Sequence, residues 1–115
     1  MASQASLPRF FVYAPDSKEA GTHAKRYEVR AHHLKEIQPH MDSGMVAVAG
    51  MLVTPKDVAQ AGEGQKKAEA SILIIKAETI DEVRSLIERD IYYTSGVWDK
   101  EKLVILPFFP ATKFP

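Results

Sequence analysis

The chain contains no cysteine. Composition alone therefore excludes disulfides, thiolate nucleophiles, cysteine-ligated zinc and iron–sulfur clusters. Net charge is missing as well: 15 lysines and arginines balance 15 aspartates and glutamates. Such a chain is a poor candidate for binding nucleic acid or an anionic membrane through its bulk field. Long apolar runs are absent. The longest, Met45–Val53 with Gly50 inside it and Ile72–Ile75, fall far short of the ~20 residues a spanning helix needs. The opening residues, Met1 to Arg9, lack the charged and apolar regions of a secretory leader and the repeated arginines of a transit peptide. No leader is expected, and the cytosol is the default compartment. Gly62-Glu63-Gly64 lacks the third glycine and the Lys-Ser/Thr of a phosphate loop, and neither Gly-x-Ser-x-Gly nor His-Glu-x-x-His occurs. No cofactor, no metal, no nucleic acid and no membrane partner is expected.

What is present is an ordinary globular composition, 45% hydrophobic and 26% charged over 115 residues, which suits one core and one domain. Residues 1–8 read as a flexible lead-in, 9–109 as the domain and 110–115 as a tail. Arg9–Ala14 is aromatic and β-branched and ends at Pro15, which predicts a first strand. Ser17 to Ser43 carries apolar residues at Tyr27, Ala31, Leu34, Ile37 and Met41, the spacing of one helical face, with Gly44 as its stop. Pro39 lies inside it and predicts a kink or break. Met45–Ala49 is apolar on both parities, which predicts a second strand buried on both faces or paired centrally, with Gly50 marking a bulge or a close backbone approach. Thr54–Ala70 is a long polar loop. Ser71–Lys76 is a third strand, Thr79 and Glu82 form a capping box for a helix to Arg89, and Lys102–Phe108 is a fourth strand.

The order β-α-β-β-α-β predicts an α+β ferredoxin-like sandwich, with four antiparallel strands and both helices on one face. The uncovered face is apolar enough to be a liability for a monomer, so a homodimer through that face is expected.

Of the four histidines, His32, His33 and His40 fall in the body of the first helix. At about 100° per residue, Arg26, Arg30, His33, Ile37 and His40 share a stripe beside the apolar one. His33 lies at the boundary of the buried face, where a side chain can reach a pocket, and His32 points nearer to solvent. The bland alternative is that these are ordinary flanking polar residues. Asp90 ends the second helix, where a carboxylate opposes the macrodipole and needs a partner. Tyr92, Tyr93 and Trp98 follow it, as core or dimer packing or as one wall of an aromatic pocket. The spaced aromatics of an RNA-recognition motif are missing from the third strand.

Taken together, Phe11-Val-Tyr-Ala-Pro-Asp16, Arg26-Tyr-Glu-Val-Arg-Ala-His-His-Leu34, Asp42-Ser-Gly-Met-Val-Ala-Val-Ala-Gly50, Asp90-Ile-Tyr-Tyr-Thr-Ser-Gly-Val97 and Val104-Ile-Leu-Pro-Phe108 resemble the YciI-like (YCII-related) family, in the right order over residues 9–109. The resemblance implies a ferredoxin-like fold assembled as a dimer of the dimeric α/β-barrel type, with its sheets face to face. It also implies a small pocket centred on a histidine and an aspartate. The family's Arg-x-x-His-Leu falls on Arg30, His33 and Leu34, and its helix-end aspartate falls on Asp90. The chain departs from the pattern at Ala31 and Ile91, where the family often has proline, and at Ala70-Ser71, where it has Gly-Ser.

On this reading Asp90 orients His33, whose other ring nitrogen acts as general acid or base on a small molecule. Arg30 or Arg26 neutralises a carboxylate or enolate on that ligand, and Tyr93 is the aromatic residue assigned to it. The expected chemistry is proton transfer, an isomerisation or elimination on a small oxygenated ring, by analogy with related dimeric folds. The alternative is a non-catalytic dimeric module that binds a small ligand or a partner protein.

Overall fold

A computed structural model describes residues 7–58 and 66–113. Its first strand, β1 (Arg9–Pro15), shows how the sequence divides the sheet into two faces. Phe10, Val12 and Ala14 are buried, and the residues between them are half-buried. The remaining elements are α1 (Thr22–Asp42), β2 (Val46–Val53), a one-turn α2 (Pro55–Val58), β3 (Ala68–Lys76), α3 (Ile80–Arg89), a one-turn α4 (Ile91–Thr94), a 3-10 turn at Lys100–Lys102 and β4 (Val104–Phe108). The sheet is antiparallel throughout, in the order β2-β3-β1-β4, the ferredoxin-like arrangement that the element order implies.

The register places Phe10, Val12 and Ala14 opposite Ile75, Leu73 and Ser71 of β3, and Val12 opposite Ile105 of β4. The apolar members of this set form one core with Ile37 of α1 and Val83 and Ile87 of α3, so both long helices cover the same face. Each such side chain contributes roughly 1.5–3 kcal/mol on full burial. α3 begins as its capping pattern indicates, with Thr79 Oγ1 accepting from the Glu82 amide at 3.3 Å. The other face carries Phe11, Tyr13, Ile72, Ile74 and Leu106, with Leu106 58% exposed.

Several expectations are corrected. α1 starts at Thr22, not Ser17, because residues 16 and 17 still pair as extended chain. Asp16 bridges Trp98, and the Ser17 amide donates to the Val97 carbonyl at 2.7 Å. β2 is an edge strand rather than a central one, and it runs on to Val53. Its register shifts at Ala47, where Val46 pairs with Ile75 and Val48 with Ile74, and again between Leu52 and Val53, not at Gly50. A Cβ on Gly50 would meet nothing within 4 Å, so no close approach explains that glycine. The bulge shifts the parity of β2, turning Val46 into the core and Ala49 and Met51 to the helix side. The helix does not break at Pro39. It continues to Asp42: the proline sits in the last turn, so the one bond it removes, to the Lys35 carbonyl, leaves only a short stretch of helix beyond it. The expected 54–70 loop is shortened by α2 at one end and by an earlier start of β3 at the other; its residues 59–65 lie outside the described residues. β4 starts at Val104 because the 3-10 turn takes up Lys102.

Candidate functional site

α1 does not bury the face its apolar residues suggest. Arg26 and Ile37 are its buried residues, with His33 half-buried between them, whereas Ala31 and Leu34 are exposed. The mixed polar stripe is turned to the protein. The apolar residues Tyr27, Leu34 and Met41 line a cavity of about 220 Å³ between α1 and the β2–β3 half of the sheet. Ala49, Gly50 and Met51 supply the β2 wall, Ser71 and Leu73 the β3 wall, and Tyr92 and Trp98 close one end. Tyr27 also donates from its hydroxyl to the Lys66 carbonyl, which ties α1 to the approach to β3.

His33 lines this cavity, and its Nδ1 lies 2.8 Å from Asp90 Oδ1. The same carboxylate oxygen accepts the Tyr92 amide at 2.8 Å. Asp90 therefore terminates α3 and caps the N-terminus of α4, where a carboxylate is favoured rather than opposed. The imidazole stacks on Tyr92, with ring centres 4.0 Å apart and planes inclined by 12°. Trp98 meets it edge-on at 6.3 Å. With a carboxylate at Nδ1, that nitrogen carries the proton, and in the neutral ring Nε2 is then the lone-pair nitrogen. Nε2 has no hydrogen-bond partner among the described residues, and the His33 side chain is 13% exposed.

A second network lies beneath the imidazole. Arg26 Nη1 donates to Asp16 Oδ1 at 2.6 Å, and its Nη2 donates to Ser71 Oγ at 2.8 Å. Trp98 Nε1 donates to the same Ser71 oxygen at 3.1 Å. The guanidinium carbon stands 4.7 Å from the centre of the Tyr92 ring. Burial pushes the Asp16 carboxyl above the usual carboxylate range, while Arg26 pulls it the other way. Burial also pushes the Tyr92 hydroxyl up, against the nearby Arg26 and Arg30, so it stays protonated at neutral pH.

The five residues singled out from sequence are placed differently. His33 and Asp90 come together. Arg30 lines the cavity, exposed and with no hydrogen bond or ion pair among the described residues. Arg26 lines it too, but is committed to Asp16 and Ser71. Tyr93 is not among the lining residues; its ring lies under Lys100 Nζ at 4.7 Å, and Tyr92 takes the place expected of it. Of the other histidines, His32 is exposed beside Glu36, His40 faces a separate hollow next to Arg89, and His23 touches Tyr27 edge-on. Asp16, Ser71, Tyr92 and Trp98 were not assigned to the site from sequence. Tyr92 and Trp98 left a trace there, as residues of a possible aromatic pocket wall, whereas Asp16 and Ser71 left none as site residues.

The YCII-related domain profile matches residues 9–108. The chain is 34% identical over 103 residues to fusaric acid biosynthesis protein 2 of Gibberella fujikuroi, covering 89% of this chain and 93% of that protein. It is 34% identical over 109 residues to the protein of the same name from Gibberella moniliformis, covering 94% and 97%. Aspartate kinase FUB3 of Fusarium oxysporum f. sp. lycopersici is 35% identical over 103 residues, and there the chain spans only 18% of the relative's length. Among solved structures, 5-chloro-2-hydroxyhydroquinone dehydrochlorinase (TftG) of Burkholderia phenoliruptrix, in complex with 2,5-dihydroxybenzoquinone, superposes with a TM-score of 0.69 at 25% identity, covering 88% of this chain and 93% of that one. Strand order, end-to-end relatives and a profile match from the first strand to the last agree: the chain belongs to the YCII-related family.

Proposed function

We propose that the protein is a small-molecule enzyme in which His33 and Asp90 carry out general acid/base proton transfer on a small oxygenated ring compound, without a cofactor. The observation that carries this reading is the imidazole held at Nδ1 by a carboxylate, with Nε2 free at a cavity of about 220 Å³. Nε2 would take a proton from the ring. The electron pair left behind would form a new double bond, either with return of the proton elsewhere (isomerisation) or with departure of a leaving group (elimination). Arg30 would balance the charge that develops on a ring oxygen. The solved relative that acts on a chlorinated hydroxyhydroquinone supports an elimination in this class. We further propose a homodimer formed through the open sheet face.

The test is exchange of the ring protons of 2,5-dihydroxybenzoquinone into deuterated water, followed by NMR. We expect the parent chain to accelerate exchange and His33→Gln to lower the rate about a hundredfold or more. An unchanged rate in His33→Gln would sink the pair. A second reading, a ligand-binding module without turnover, is favoured by the match to less than a fifth of a much longer kinase. It requires the probe to bind the parent chain with no acceleration of exchange.

A further inference from the structure

Ser71 lies on β3 with its residue 6% exposed, at a position that faces the helices and lines the cavity. Its oxygen receives Arg26 Nη2 at 2.8 Å and Trp98 Nε1 at 3.1 Å. Arginine and tryptophan side chains carry donors and no acceptor, so the serine oxygen accepts in both bonds. A hydroxyl has two lone pairs and one proton. Both lone pairs are occupied, and the proton has no acceptor among the described residues. Rotation about the Cα–Cβ bond offers no escape, since any other setting gives up two buried donors.

The arrangement is anchored on both sides. Arg26 is held from behind by Asp16 at 2.6 Å, and Trp98 is held by the bridge between its own backbone and that of Asp16. Donation thus runs one way, from the guanidinium into Ser71 Oγ and from Ser71 outward. A charged donor on its lone pair also polarises the hydroxyl and strengthens the bond it gives.

We infer that Ser71 is an obligate hydrogen-bond donor to the cavity and determines specificity there, selecting ligands that present a carbonyl or ionised ring oxygen to β3. The inference rests on the cavity being the ligand site, as proposed above. It adds what the ligand must show: an acceptor oxygen toward Ser71 and a proton toward His33 Nε2, both within reach of a single ring in a cavity of this size.

Calorimetric titration with two probes tests it. One is 2,5-dihydroxybenzoquinone, which at neutral pH offers carbonyl and ionised oxygens. The other is hydroquinone, the comparable ring with two neutral hydroxyls. Ser71→Ala is expected to weaken the quinone about tenfold or more and hydroquinone less than about threefold, as befits a bond to a charged acceptor. Ser71→Thr, which keeps the hydroxyl on a strand that tolerates branching, should restore the quinone affinity. Where loss of the two buried bonds costs the alanine variant its fold, which a melting curve reveals, Ser71→Cys takes its place. Its thiol is a weaker donor and acceptor, and it should weaken the quinone by a smaller factor in the same direction. A general structural role would weaken both probes equally and leave their ratio unchanged, which would overturn the assignment. Unchanged quinone affinity in the alanine or cysteine variant would overturn it while leaving the cavity reading intact. Failure of the parent chain to bind either probe would overturn both.

Discussion

Asp90 Oδ1 serves two donors from different directions, the His33 ring and the Tyr92 amide. The two roles can be separated by substitution. Asparagine caps helices about as well as aspartate, so Asp90→Asn should change stability by less than about 1 kcal/mol, whereas Asp90→Ala should lose about 0.5–2 kcal/mol with the cap. Only the carboxylate, however, holds the proton on His33 Nδ1. Nitrogen-15 NMR of the imidazole should report the Nδ1-protonated tautomer in the parent chain and a mixture in Asp90→Asn. Identical tautomer populations would remove Asp90 from any orienting role. At this scale the sequence was partly readable. His33 and His32 are neighbours, and helical spacing separates them because α1 is long enough to have a phase. Tyr92 and Tyr93 are also neighbours, but α4 is a single turn that takes its phase from the Asp90 cap, and no periodicity announces it.

α1 is the element whose burial runs against its composition. Its apolar residues open onto a cavity, and an arginine takes the core position because Asp16 and Ser71 wait for it there. Nothing in a helical pattern shows that a carboxylate ten residues upstream will be buried opposite. The pairing makes a sharp expectation. Arg26→Met leaves Asp16 as an uncompensated buried charge, at a cost of about 3–5 kcal/mol near neutral pH. Burial already pushes the Asp16 carboxyl up, and without the guanidinium nothing of comparable strength opposes that push. The folded variant then binds a proton more tightly than the unfolded chain does. Its stability should rise as pH falls through the interval between the unfolded and folded carboxyl values. Urea melts at pH 7.5 and pH 5 should show the deficit shrinking at the lower pH, and a deficit independent of pH would mean that Asp16 is not its source. The remaining elements were more legible. β1 and β3 declare themselves by apolar alternation or apolar runs, and α3 by its cap and its inward Val83 and Ile87. The bulge at Ala47 was not legible, because a strand apolar on both parities conceals a shift of one residue.

For the molecule as a whole, the order of elements pointed to the ferredoxin-like sheet, since few unknotted arrangements of β-α-β-β-α-β exist, although the apolar run of β2 pointed wrongly to a central place for that strand. The open face of the sheet, with Phe11, Ile72 and Leu106, is the surface on which we place a second copy. Leu106→Arg puts a charge on that face, at its exposed β4 edge, while leaving the helix-covered core untouched. Light scattering should show a parent dimer and a monomeric variant of similar melting temperature, and a variant that remains dimeric would place the contact elsewhere. The cavity has another consequence at this scale. Its walls come from α1, β2, β3 and the stretch after α3, elements far apart along the chain and held together only by the fold. A guest seated among them acts as a removable staple: it binds the assembled chain and not the unravelled one, so each tenfold excess over its dissociation constant adds about 1.4 kcal/mol to what heat must overcome. Collections of small ring compounds can accordingly be sorted by how far they raise the melting temperature, before any reaction has been chosen to follow.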